Sequence, residues 1–91
     1  MQLAYFATLR DITGLSKQPW NASVETIGDL LRDLCSRYGP KFQRWVLEED
    51  GSLGHLCIIL VNGRDIRDLN GLGTRLRPED SISFFPPVAG G

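Results

Sequence analysis

The sequence predicts an α+β fold, a mixed sheet of about five strands with one main helix packed on one face. Three observations carry that reading. Strand-like apolar runs lie at both ends of the chain, at Gln2–Thr8 and Ser81–Phe85. Between them Ile27, Leu30, Leu31, Leu34, Cys35 and Tyr38 recur at helical spacing, one apolar stripe over about three turns. Leu56–Val61 is a third β-prone run, and it ends on Asn62-Gly63, the strongest short hairpin signal.

Each element has its own justification. In the first run Leu3, Tyr5 and Ala7 alternate with Ala4 and Phe6, so both faces of that strand can be covered. Thr13-Gly14 marks a turn within Leu9–Leu15, and Ser16–Trp20 reads as a returning strand until Pro19, which has no amide hydrogen for a ladder. Thr26-Ile27-Gly28-Asp29 matches a capping box: the hydroxyl accepts from an early amide and the carboxylate reaches back. Gly39-Pro40 ends that helix.

Lys41–Leu47 predicts a short second helix with Phe42, Trp45 and Val46 on its apolar side. Glu48–Ser52 is an acidic turn whose spacing does not match a calcium loop. Arg64–Leu69 leads into Asn70-Gly71-Leu72-Gly73-Thr74, which is Gly-rich but lacks the Lys-Ser/Thr of a phosphate loop, so a compact irregular turn is expected. Arg77–Asp80 turns into the last strand, where Ile82 and Phe84 face one way and Phe85 the other. The predicted order is β-β-α-β-β-β, with the first and last strands as parallel neighbours at the sheet centre.

Composition narrows the function classes. The chain has 91 residues, 42% hydrophobic and 23% charged, with a formal net charge of −1. That size suits one domain. The charge offers neither a basic field for nucleic acid nor a polybasic segment for an acidic membrane, and no apolar run is long enough to span a bilayer. Met1-Gln2-Leu3 has no positive n-region, so a cytoplasmic location is expected. Cys35 and Cys57 sit in apolar settings with only His55 as histidine, and are expected to be reduced packing residues rather than metal ligands or nucleophiles.

The final residues read Pro86-Pro87-Val88-Ala89-Gly90-Gly91. Taken by itself the glycine pair is either an ordinary frayed terminus or a thin tether for a reactive carboxylate. Without Cβ atoms such a backbone slides through a slot too narrow for side chains, and its carboxylate can attack the α-phosphate of ATP to give an acyl-adenylate. The expected organisation is a domain over residues 1–86 followed by a flexible tail over 87–91. Beyond Pro86 the chain reaches at most roughly 17 Å.

Phe6–Asp11, Thr26–Leu31, Val61-Asn62-Gly63 and the whole of Pro78–Gly91 resemble the ubiquitin-like β-grasp sulfur carriers of the MoaD/ThiS type. The likeness runs nearly end to end and is strongest to the small subunit of molybdopterin synthase. The resemblance implies that the protein has no catalytic side chains and binds no cofactor. Its reactive group is the Gly91 carboxylate. An adenylyltransferase similar to ubiquitin-activating enzymes would activate it with ATP and magnesium, and a persulfide-bearing sulfurtransferase would exchange AMP for sulfur. The resulting thiocarboxylate would enter the large synthase subunit and give sulfur to the pterin precursor.

Each tail residue has an implied part. Val88, Ala89, Gly90 and Gly91 would thread the partner's channel, Pro86 and Pro87 would stiffen the exit and contact the partner, and Phe6 and Phe85 would form the apolar docking surface. Two departures widen the reading. The Lys41–His55 segment is longer than in compact bacterial molybdopterin proteins and similar to archaeal-type relatives and to a carrier used in cysteine synthesis. The tail also lacks the arginines that precede the glycine pair of ubiquitin. The alternatives are therefore a protein modifier, a sulfur carrier for cysteine, thiamine or tRNA thiolation, and an interaction module with an inert tail. A stand-alone enzyme is the weakest of them, since His55 has no evident acid or nucleophile partner.

Overall fold

In the computed structural model, residues 1–21 and 23–87 are described. The predicted tail residues Val88 to Gly91 lie outside them. Strand β1 (Gln2–Tyr5) pairs in parallel with β5 (Ser81–Phe85), so the two ends of the chain meet at the sheet centre as expected. β2 (Lys17–Pro19) adds antiparallel to β1 at one edge. β3 (Ile58–Val61) adds antiparallel to β5, and β4 (Arg64–Asp65) closes the other edge, giving the order β2-β1-β5-β3-β4. Pro19 is tolerated because β2 is an edge strand whose outward amide needs no partner. Asn62 and Gly63 take φ 53° and 84°, the left-handed pair that a tight hairpin requires.

The main helix, α2 (Ile27–Tyr38), starts as its sequence directs: Thr26 Oγ1 accepts from the Asp29 amide at 3.2 Å. The Asp29 carboxylate reaches back to the Glu25 amide, one residue further than the box predicts, at 3.4 Å. Gly39, at φ 82°, ends α2 and Pro40 opens α3 (Pro40–Val46). The Gly-rich stretch is a compact turn with one 3₁₀ segment, Gly71–Gly73. Ile27, Leu30, Leu31 and Leu34 of α2 and Phe42 and Val46 of α3 pack over Leu3, Tyr5, Ile59, Ile82 and Phe84, all at most 1% exposed. The result is a β-grasp: a mixed sheet holding its helices on one face.

The sequence reading extends the first strand to Thr8; the structure ends it at Tyr5 and begins a helix, α1 (Thr8–Thr13). The reason lies at the other end of the chain. Phe6 donates its amide to the Phe84 carbonyl at 3.2 Å, and the next rung would run from residue 86 to the Phe6 carbonyl. Pro86 has no N–H to donate. The Phe6 carbonyl instead accepts from Leu9 at 3.1 Å, which turns the chain into α1. With Leu9 as its one buried residue, this helix shows too little apolar period to be recognised in advance.

Gln18, buried at the sheet edge, is matched by two hydroxyls, whereas among the described residues Thr8 Oγ1 and Trp20 Nε1 are buried without a partner. The Gln18 side-chain carbonyl accepts from the Tyr5 hydroxyl at 2.7 Å and from the Tyr38 hydroxyl at 3.0 Å. These tyrosines join Phe42 and Phe84 in one aromatic cluster, with Tyr5 stacked on Phe84 at 5.6 Å between ring centres.

Candidate partner-docking surface

Alternation along a strand sends adjacent residues to opposite faces. Phe84 is fully buried under the helices, so Phe85 points to the open face of the sheet. Register extended one residue past β1 places Phe6 beside Phe85, and Ile58 faces Phe85 from β3. The Phe6 and Phe85 rings stack with centres 4.3 Å apart and planes 10° from parallel. Phe6 is 39% and Ile58 44% exposed, and Phe85 is half-buried by its neighbours. This row crosses three strands at the end of the sheet from which the chain leaves toward its glycines.

Behind that row, Ala4, Ser83 and Leu60 are aligned across the same strands and half-buried. Lys17 adjoins Ala4 at one edge and Asp65 adjoins Leu60 at the other. The open face thus carries one apolar row, Phe6–Phe85–Ile58, with Ser83 behind it and opposite charges at the two edges, the pattern of a protein-binding surface with a polar rim. Ile58 is the member that the sequence reading missed. The structure buries Cys57, Ile59 and Val61, so the residues between them face outward.

The predicted site residues therefore divide into groups. Phe6 and Phe85 come together in one stack. Pro87 is half-buried, whereas Pro86 is buried. Without an amide hydrogen it ends the β1–β5 ladder. Val88, Ala89, Gly90 and Gly91 lie outside the described residues.

The remaining chemistry-bearing side chains stand apart from this surface. His55 Nδ1 lies 3.5 Å from a Glu48 carboxylate oxygen, a pairing absent from the sequence reading, on the solvent side of a loop. Both cysteines are free. Burial pushes the Cys35 thiol up, and takes Cys57 from 9.0 to about 11, away from the thiolate that a nucleophile needs. Between those values the folded chain keeps the Cys57 proton while the unfolded chain loses its own. Stability is therefore full below pH 9.0 and declines as pH rises toward about 11, by up to about 3 kcal/mol. Denaturant midpoints measured across that range should fall more steeply for the parent protein than for Cys57→Ala, with Cys35 and Tyr5, whose thiol and hydroxyl are also pushed up by burial, supplying a residual slope of the same sign.

Comparison with known proteins places these features in context. Residues 3–91 match the ThiS family. Small archaeal modifier protein 3 of Haloferax volcanii is 38% identical over 92 residues, covering 100% of this chain and 98% of its own. The sulfur carrier protein CysO of Mycobacterium tuberculosis is 36% identical over 84 residues, 91% of this chain and 89% of its own. Among solved structures, a match to the Amycolatopsis orientalis BexX/CysO complex has a TM-score of 0.78 at 28% identity, covering 99% of this chain and 98% of that one.

Proposed function

This chain belongs to the ThiS family, and from that premise we propose that it is a sulfur carrier whose Gly91 carboxylate is adenylated and converted to a thiocarboxylate. The observation that carries the reading is the Phe6–Phe85–Ile58 row at the mouth of the tail. A partner seated there holds the domain while the last residues reach its active site, so that docking energy is used to orient the carboxylate. The names of the relatives, a sulfur carrier and a modifier protein, support both activation of the terminus and its use.

The chemistry needs no side chain of this protein. A carboxylate oxygen of Gly91 attacks the α-phosphorus of ATP and pyrophosphate leaves. The outer sulfur of a partner's persulfide then attacks the acyl carbon and AMP leaves, giving an acyl disulfide. A second thiol cleaves that disulfide, releasing the thiocarboxylate and taking up the partner sulfur as a disulfide. Delivery into the large subunit of molybdopterin synthase is one outlet for the carried sulfur. Transfer in cysteine synthesis, as the CysO name suggests for that relative, is another.

A second reading is favoured by the full-length similarity to a small archaeal modifier protein: a lysine amine in place of the persulfide would displace AMP and leave an isopeptide bond. Both readings share the docking step. Phe85→Ala should weaken binding to an adenylating partner by about 2 kcal/mol or more, as for an aromatic hot spot. Folding stability should drop by no more than about 1 kcal/mol, because its ring is half-open to solvent. Phe6→Ala should act in the same direction and non-additively, since the two rings touch. Calorimetric titration and thermal melts read the two effects separately. A collapsed melting temperature with unchanged affinity would move docking elsewhere.

A further inference from the structure

At the end of the sheet opposite the tail, the β3–β4 hairpin and the segment leading into β5 enclose an open groove of about 660 Å³. Three arginines line it, Arg64, Arg75 and Arg77. All three are exposed, and among the described residues none has a carboxylate within 4.0 Å. We propose that this groove binds an acidic peptide segment of a protein partner, independently of the surface at the tail. The length of β5 sets about 13 Å between the two.

The groove is built before any ligand arrives. Buried Asp80 forms its base: one carboxylate oxygen accepts from the Asn62 side-chain amide at 2.9 Å and the other from the Arg77 amide at 2.8 Å. Asn62 in turn accepts from the Ser81 amide at 3.0 Å. On the opposite wall the Thr74 hydroxyl donates to the Gly71 carbonyl at 2.7 Å and accepts from the Asn70 amide at 3.1 Å. With both walls fixed, little ordering of the backbone remains to oppose binding.

The charge pattern chooses the class of occupant. A guanidinium is a planar fork matched to a carboxylate. Glu79 on the rim and Asp80 at the base set two negative charges against the three arginines, which penalises a dense polyanion such as polyphosphate or nucleic acid. Half-buried Leu69, beside the nearly buried Val61, supplies an apolar contact in the same groove. An extended chain that alternates carboxylate and apolar side chains satisfies both features.

The probe is the blocked peptide acetyl-Glu-Leu-Glu-Leu-Glu-Leu-amide, titrated into isotope-labelled protein and followed by amide chemical shifts. Shifts confined to Asn62, Arg64, Asn70, Gly73, Arg75 and Arg77 are expected. Affinity should fall by about tenfold or more with glutamine in place of each peptide glutamate, and equally in the Arg75→Glu/Arg77→Glu protein. Phe85→Ala should leave it unchanged. Arg64→Glu, tested by itself, serves if the double variant loses its native spectrum, and it should weaken binding in the same direction. Absence of shifts at millimolar peptide, shifts centred elsewhere, equal binding of the glutamine peptide, or tighter binding of tripolyphosphate or a short oligouridylate would each overturn the proposal. None of these outcomes bears on Gly91 activation, which the tail variants test separately.

Discussion

Removal of Gly90 and Gly91 is expected to abolish adenylation and sulfur transfer completely while leaving the fold in place. The described domain closes its sheet and core without these residues: the β1–β5 ladder ends at Pro86, and the core residues among those described lie between Leu3 and Phe84. A terminal glycine pair, with no side chains to bury, adds little to stability, so the melting temperature should be unchanged. Catalysis depends on where the carboxylate sits, and a carboxylate two residues short falls away from the α-phosphate by about 7 Å. Even a much smaller misplacement costs orders of magnitude in rate. One residue added after Gly91 should block the reaction by displacing the carboxylate the other way. Pyrophosphate release catalysed by an adenylating partner measures both; release retained by the truncated chain would contradict the proposal.

The largest effect on folding is expected at Phe84→Ala. Phe84 is fully buried on a central strand, stacked on Tyr5 at 5.6 Å and edge-on to Phe42 at 6.4 Å. Truncation removes the ring's transfer free energy and leaves a cavity between sheet and helices, a loss of about 3–5 kcal/mol. Against a total stability of about 5–15 kcal/mol for such a domain, that brings the variant close to unfolding. Leu34→Ala, from the fully buried face of α2, should cost about 2–5 kcal/mol by the same mechanism. In urea titrations both midpoints fall with the slope unchanged. The neighbouring Phe85→Ala is the internal comparison: a greater loss there than at Phe84 would reverse the assignment of the two sheet faces.

What could be read in advance follows from where the signal is local. The α2 stripe, its Thr26 cap and the Asn62-Gly63 turn each lie within a few residues of the structure they specify, and each formed as expected. The parallel pairing of β1 and β5 was legible because both runs are apolar enough to occupy a sheet centre. The start of α1 was not, because its cause is non-local: a missing amide at Pro86 frees the Phe6 carbonyl, far away in sequence. Ile58 escaped notice because Cys57, Ile58 and Ile59 form a continuous apolar run, and only pairing with Phe85 shows which of them faces outward. Nothing in the sequence brings Arg64 together with Arg75 and Arg77. The hairpin and the turn before β5 do so.

The central claim rests on the chemical state of the last residue, and intact-protein and fragment mass spectrometry reads it directly. The purified chain is incubated with an adenylating partner of this family, ATP, magnesium and a persulfide sulfur donor, and its C-terminal fragment is weighed. A mass gain equal to exchange of one oxygen for sulfur is expected, confined to the fragment ending at Gly91 and absent without ATP. An unchanged fragment under conditions where the partner releases pyrophosphate would contradict it, and Gly-Gly remnants on lysines of other proteins in its place would assign the terminus to conjugation.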